Sequence, residues 1–307
     1  MLPAGTVTVV RIAITGSSGL IGTALARRLA GDGHDVVPIV RRAPQPGEIA
    51  WDPDSLRLDP ADLRGLDAVV NLAGEGIGDK RWTAEHKRRL VDSRVPSTRL
   101  LAEAIAAADD GPGVLLSGSA VGYYGRDRGD ELCTESSGPG NDFLAELCVQ
   151  WEEATAAAEA SGVRVAHLRT GIVLDRTDGV LPRMVLPFRL GVGGKLGAGD
   201  QWMSWIALED HVAATTFLLT SDVHGPVNLT APEPVTNAQL TKALGAELHR
   251  PTFLTAPALG LRLAFGRERA DNLLFASQRV VPQVLLDAGF AFSHPVLAGA
   301  LQAVLGR

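Results

Sequence analysis

The sequence is poor in the residues that mark most specialised folds. Only two cysteines, Cys133 and Cys148, occur in 307 residues, which excludes a disulfide framework and a thiolate metal site and fits a reducing cytoplasm. The seven histidines are scattered without ligand spacing, so no metal is expected. No apolar run approaches the ~20 residues of a membrane span, and the start of the chain lacks a cationic segment followed by a small-residue cleavage site. A cytoplasmic protein with no membrane partner is the expectation. Cationic excess is also missing: the net charge is -6, leaving no basic stripe for nucleic acid. Tyrosine is as scarce as cysteine, with Tyr123 and Tyr124 alone.

What the chain does have is apolar mass. With 46% apolar and 21% charged residues it can bury a large core, and its length suggests one large domain plus a smaller lobe. The organising stretch is 11–22. An apolar run from Val7 to Ile14 reads as a parallel strand buried on both faces, and glycines follow it into a helix from about Leu20 to Ala30. Gly16 allows a tight turn, Gly19 lets the main chain approach a pyrophosphate, and Gly22 lets the helix pack on the strand. The N–H groups at the start of that helix, around Ser17, Leu20 and Ile21, then face phosphates.

The second strand, Asp35 to Val40, ends in Arg41-Arg42. An NAD site usually places an acidic residue there for the ribose 2′-hydroxyl, whereas a 2′-phosphate needs cations, so these arginines favour NADP. Glu48 to Trp51 reads as a short third strand. Asp67 to Gly74 reads as another, putting Asn71, Ala73 and Gly74 along the cofactor at its carboxyl end. Thr83 to Ala108 reads mainly as helix, with Pro96 splitting it or starting a second segment. The next strand, Val114 to Ser119, delivers hydroxyls to the crevice. A helix runs from Asp142 to Ser161, and Arg164 to Leu168 returns as a strand. Alternation of this kind predicts an α/β, doubly wound parallel sheet.

Past Leu174 the pattern loosens into a glycine-rich loop, 191–199, that leads to Trp202 and Trp205. This reads as an ordered binding loop. Asp210 to Ser221 is helical, Pro226 to Thr230 strand-like, and 251–305 resembles a small helical lobe. The expected division is a Rossmann NADP-binding domain over 8–178, with 206–230 returning to it. A smaller substrate lobe is then made from 179–205 and 231–307. Asp210 is better explained by helix capping than by a ligand.

Taken together these residues resemble the extended short-chain dehydrogenase/reductase superfamily. The resemblance rests on 15–22, Asn71-Leu72-Ala73-Gly74, Ser117-Gly118-Ser119-Ala120-Val121 and 197–201. Within it the chain is similar to an uncharacterised epimerase-like group with a C-terminal domain of unknown function. Specific to that group are Ala73-Gly74-Glu75-Gly76-Ile77 with Lys80-Arg81-Trp82, 143–146 with Trp151-Glu152, 201–206, 278–282 and 288–292. What the resemblance implies is NADP(H) binding and oxidoreductase or epimerase-like chemistry on an unidentified small molecule, by a monomer or homodimer.

Enzymes of that superfamily use a Ser-Tyr-Lys constellation in which Tyr exchanges a proton, Lys lowers its pKa and Ser orients the substrate oxygen. Ser119 holds the Ser place. The Tyr and Lys places fall to Phe143 or Leu144 and to Leu147 or Cys148. Two explanations stay open. Either Tyr123, Tyr124 or a carboxylate such as Glu75 supplies the proton, with Arg94 or Lys80 providing the missing field, or the protein is an inactive NADP(H)-binding regulator or scaffold. The candidate catalytic residues are therefore Ser119, Tyr123 and Tyr124.

Overall fold

A computed structural model describes residues 10–78 and 80–306, so the start of the expected first strand, 7–9, lies outside the described residues. Seven strands form one parallel sheet: β1 (Arg11–Thr15), β2 (Asp35–Val40), β3 (Ile49–Ala50), β4 (Ala68–Asn71), β5 (Val114–Ala120), β6 (Arg164–Thr170) and β7 (Gly225–Leu229). Across the sheet they run β3, β2, β1, β4, β5, β6, β7, each parallel to its neighbour. This is the doubly wound α/β arrangement, and its order reverses between β1 and β4, where a crevice opens at the strand carboxyl ends.

Both faces are covered. On one, Leu25 and Leu29 of α1 (Leu20–Gly31) and Val212 and Leu218 of the helix Leu208–Thr220 pack on Ile12, Ile14 and Leu168. On the other, Leu101 and Ile105 of α3 (Val95–Ala107) meet Val69 and Leu115. Pro96 divides the long helical stretch by occupying the first turn of α3, after α2 (Ala84–Asp92), where its missing N–H costs nothing. The helix expected over Asp142 to Ser161 is instead two, α4 (Phe143–Glu153) and α5 (Ala156–Ala160). Thr155 turns its hydroxyl onto the Glu152 carbonyl at the break.

The glycine-rich loop is more regular than expected. Gly194–Leu196 pairs with Leu254–Ala256, Trp202–Met203 with Val235–Thr236, and Trp205–Ala207 with Ile172–Leu174. A strand absent from the sequence reading, Asp127–Cys133, pairs with Ser277–Val280 and ties the tail to the sheet's carboxyl edge. Alternation is lost there because the strand reads Asp-Arg-Gly-Asp-Glu-Leu-Cys and is mostly exposed. Asp210 lies in the first turn of the helix Leu208–Thr220 without capping it: its carboxylate is fully buried and accepts N–H bonds from Ser293 and His294, anchoring the tail. Among the described residues no helix is long and apolar enough to cross a membrane.

Candidate active site

The glycine turn has the shape its sequence requires. Gly16 adopts φ +66°, and a β-carbon there would stand 2.7 Å from the Leu72 carbonyl oxygen. Gly19, by contrast, has only the Gly16 carbonyl oxygen within reach, at 3.4 Å, so its bare edge faces outward. Gly19 is also the N-cap of α1 and gives no side-chain bond to the first-turn amides. Those amides and the helix dipole are therefore available to an anion.

At the end of β2, Arg42 makes a two-pronged pair with Glu48, at 2.6 and 2.5 Å, and stays about half exposed. That hydrogen bond pulls the Glu48 carboxyl below its ordinary range. Arg41 is exposed and has no side-chain partner among the described residues. In the sequence Glu48 reads only as the start of the short third strand; its pairing with Arg42, six residues earlier, appears when the chain returns into β3.

Asn71 differs from expectation. Its side chain is fully buried, accepting from Thr15 Oγ1 at 2.7 Å and donating to Thr98 Oγ1 at 2.9 Å, so its amide ties the strand ends together beneath the crevice. The Thr15 hydroxyl in turn accepts from the Leu72 and Ala73 amides, which fixes the turn carrying Ala73 and Gly74 beside the crevice.

Ser119, at the end of β5, lines a cavity of about 290 Å³ bounded by the carboxyl ends of β5 and β6, α4 and the tail. Its walls are mainly apolar, including Ile77, Leu144, Leu147, Trp151, Ile172 and Met203, and among the described residues Arg94 is the one charged group that lines it. Leu144 and Cys148, four apart on α4, both reach the cavity, whereas Phe143 packs edge-on against Trp82. Burial pushes the Cys148 thiol up to about 12, so it is a neutral wall group at physiological pH. Arg94 lies over the Trp151 ring and donates to the Leu90 and Glu75 carbonyls; burial lowers its pKa.

Beneath Ser119 is a charged network that sequence reading did not find. Ser119 Oγ donates to Glu152 Oε1 at 2.7 Å, and Arg169 clamps the same carboxylate through Nε and Nη2, both at 2.8 Å. The available signals were an arginine inside the apolar strand 164–170 and a glutamate on a largely apolar helix. Neither tyrosine lines the cavity. Tyr124 is fully buried, donates to Asn228 Oδ1 at 2.7 Å and accepts from Arg169, and burial raises its pKa to about 12. The ring of Tyr123 stacks under the Arg169 guanidinium, 3.4 Å from it. Both tyrosines thus contact Arg169 from outside the cavity wall, away from the place where the expectation set a reacting proton. Glu75 binds Lys80, at 3.0 Å, and is absent from the cavity wall. Among the described residues no group of His, Cys, Asp and Glu is arranged to hold a metal.

Residues 12–230 match the model of the NAD dependent epimerase/dehydratase family, and 256–304 match a domain of unknown function, DUF1731. An epimerase family protein of Mycobacterium tuberculosis is 48% identical over 94% of this chain and 96% of its own. The human epimerase family protein SDR39U1 is 38% identical, covering 96% of this chain and 99% of its own. The crystal structure of human SDR39U1 with NADPH superposes with a TM-score of 0.88 at 36% identity, over 97% of this chain and 99% of that one. A Corynebacterium glutamicum structure described as a nucleoside-diphosphate sugar epimerase gives 0.81 at 39% identity, over 97% of this chain and 59% of that one.

Proposed function

The chain belongs to the NAD dependent epimerase/dehydratase family, and from that premise we propose that it binds NADP(H) and acts as an oxidoreductase or epimerase-like enzyme on a small molecule. The observation that carries the cofactor reading is the pairing of an open, uncapped α1 N-terminus with Arg41 and Arg42 beyond β2. The first would hold the diphosphate through the turn Gly16, Ser17, Gly19, Leu20, Ile21 and Gly22; the second would hold a 2′-phosphate. Ala73 and Gly74 give small, close-packed backbone on the other side. The NADPH in the human relative's crystal structure supports the same choice.

The nicotinamide would supply or accept a hydride. This chain's own part is to hold the substrate oxygen at Ser119, exclude water with the apolar walls, and keep Ser119 oriented through Glu152 and Arg169. In this reading the places of the usual Tyr-Lys pair fall to Phe143 or Leu144 and to Leu147 or Cys148, of which Leu144, Leu147 and Cys148 line the cavity together with Arg94. That replacement favours one alternative, a protein that binds NADP(H) to signal or to assemble without turnover. Titration with NADPH and NADH, read by the coenzyme's fluorescence, tests the cofactor reading: NADPH binds more tightly, and equal affinities refute it. A carbonyl screen following NADPH absorbance separates enzyme from binder.

A further inference from the structure

The hydroxyl groups around the cavity share one arrangement. Ser119 donates to Glu152, Thr170 to the Leu168 carbonyl at 3.1 Å, and Ser204 to the Gln278 carbonyl at 2.8 Å. All three line the cavity, and each has its proton directed into protein. The indole N–H groups are spent in the same way, Trp151 on Thr98 and Trp202 on Asp130. Both Glu152 oxygens also accept from Arg169, which fixes the carboxylate against Ser119. What Ser119 turns to the cavity is a lone pair.

We infer that this cavity selects a small, largely apolar molecule that presents a hydrogen-bond donor, an alcohol in preference to its ketone, and that it does not hold a nucleoside diphosphate sugar. The size supports this: about 290 Å³ lies at the bottom of the range of drug-sized ligand pockets. The chemistry supports it too. A diphosphate calls for several cations or open backbone amides, and among the described residues the wall's one cation is Arg94, already bonded to the Leu90 carbonyl, Ser93 and the Glu75 carbonyl. The polar wall groups are Ser119, Thr170, Ser204, Asn272 and Gln278, and any sugar hydroxyl set instead against Ile77, Leu144 or Leu147 is left unbonded, at a cost of about 1 to 3 kcal/mol each. A donor at Ser119 completes a chain from ligand to Ser119 to Glu152 to Arg169, in which every member is satisfied.

This inference names the substrate class of the site in the proposed function and rests on that reading only for calling the ligand a substrate. The test measures binding of 1-phenylethanol, acetophenone, ethylbenzene and UDP-glucose to the full-length protein by calorimetry, with and without saturating NADP⁺. Coenzyme binding is recorded on its own, so loss of the cofactor reading is seen separately while the ratios among the four probes decide the inference. The expected result is 1-phenylethanol binding at least fivefold tighter than acetophenone, with UDP-glucose not competing. Ser119→Ala should bring the alcohol down to the level of ethylbenzene. Glu152→Gln, if folded, lets the amide donate to Ser119 and should turn the preference toward acetophenone. Equal or tighter binding of acetophenone in the wild type, as when Arg94 reads the oxygen, overturns the inference. So does displacement of the alcohol by UDP-glucose.

Discussion

A β-carbon on Gly22 would overlap the carbonyl oxygen of Gly16, six residues earlier, and the backbone of Ser17. The first turn of α1 and the turn that precedes it are in direct main-chain contact, leaving no flexible atom to give way. Gly22→Ala should therefore cost about 1 to 3 kcal/mol of stability, the usual range for overpacking, and displace the α1 amides. The urea midpoint should fall, and NADPH affinity should fall with it. An unchanged midpoint would show that the turn is softer than its geometry implies.

Arg41 and Arg42 have unequal surroundings, since Arg42 is held by Glu48 and Arg41 is not. Arg41→Asp should weaken NADPH by roughly ten- to a hundredfold, the worth of a hydrogen bond to a charged group, and leave NADH within a few-fold. Parallel titrations check this. Equal losses for both coenzymes would remove the 2′-phosphate from Arg41.

Arg169 is 3% exposed and Glu152 11%, and they satisfy each other below the cavity. Glu152→Ala leaves a buried guanidinium with no carboxylate to meet it. The expected cost is about 3 to 5 kcal/mol, whereas replacing both partners with apolar residues of similar volume should cost far less. Chemical denaturation of the single and double variants distinguishes a buried pair from a superficial one.

His211 is fully buried, with Nδ1 unbonded and Nε2 against the Thr170 hydroxyl at 3.1 Å. Burial depresses its pKa from 6.5 to about 4. The folded protein thus resists a proton that the unfolded chain accepts. Stability from this site is complete above pH 6.5, declines as the pH falls, and levels off below about 4, a loss of about 3 kcal/mol. His211→Gln should remove that slope from denaturation curves measured between pH 7 and 4, whatever it does to stability at pH 7.

Much of this architecture is readable in the chain because its signals are local. Val69 and Val70, between Asp67 and a glycine turn, announce a buried strand in any setting, and Pro96 marks a helix start wherever it falls. The strand Asp127–Cys133 escapes because it is mostly exposed and has no periodicity; its partner, 277–280, is about 150 residues away. Glu152 escapes for a related reason. A carboxylate on a helix looks solvated until β5 and β6 bring Ser119 and Arg169 to it.

The sequence by itself determined the glycine turn, the basic end of β2, the parallel α/β sheet and the seat of Ser119, since each follows from steric or charge rules acting over a few neighbouring residues. Only the tertiary structure decided where protons point. It buried Asn71 and Tyr124, set Leu144 and Cys148 into the cavity wall, and directed the hydroxyls of Ser119, Thr170 and Ser204 inward. Hydrogen-bond direction depends on which groups meet across the fold, and residues far apart in the chain meet only when the sheet has closed.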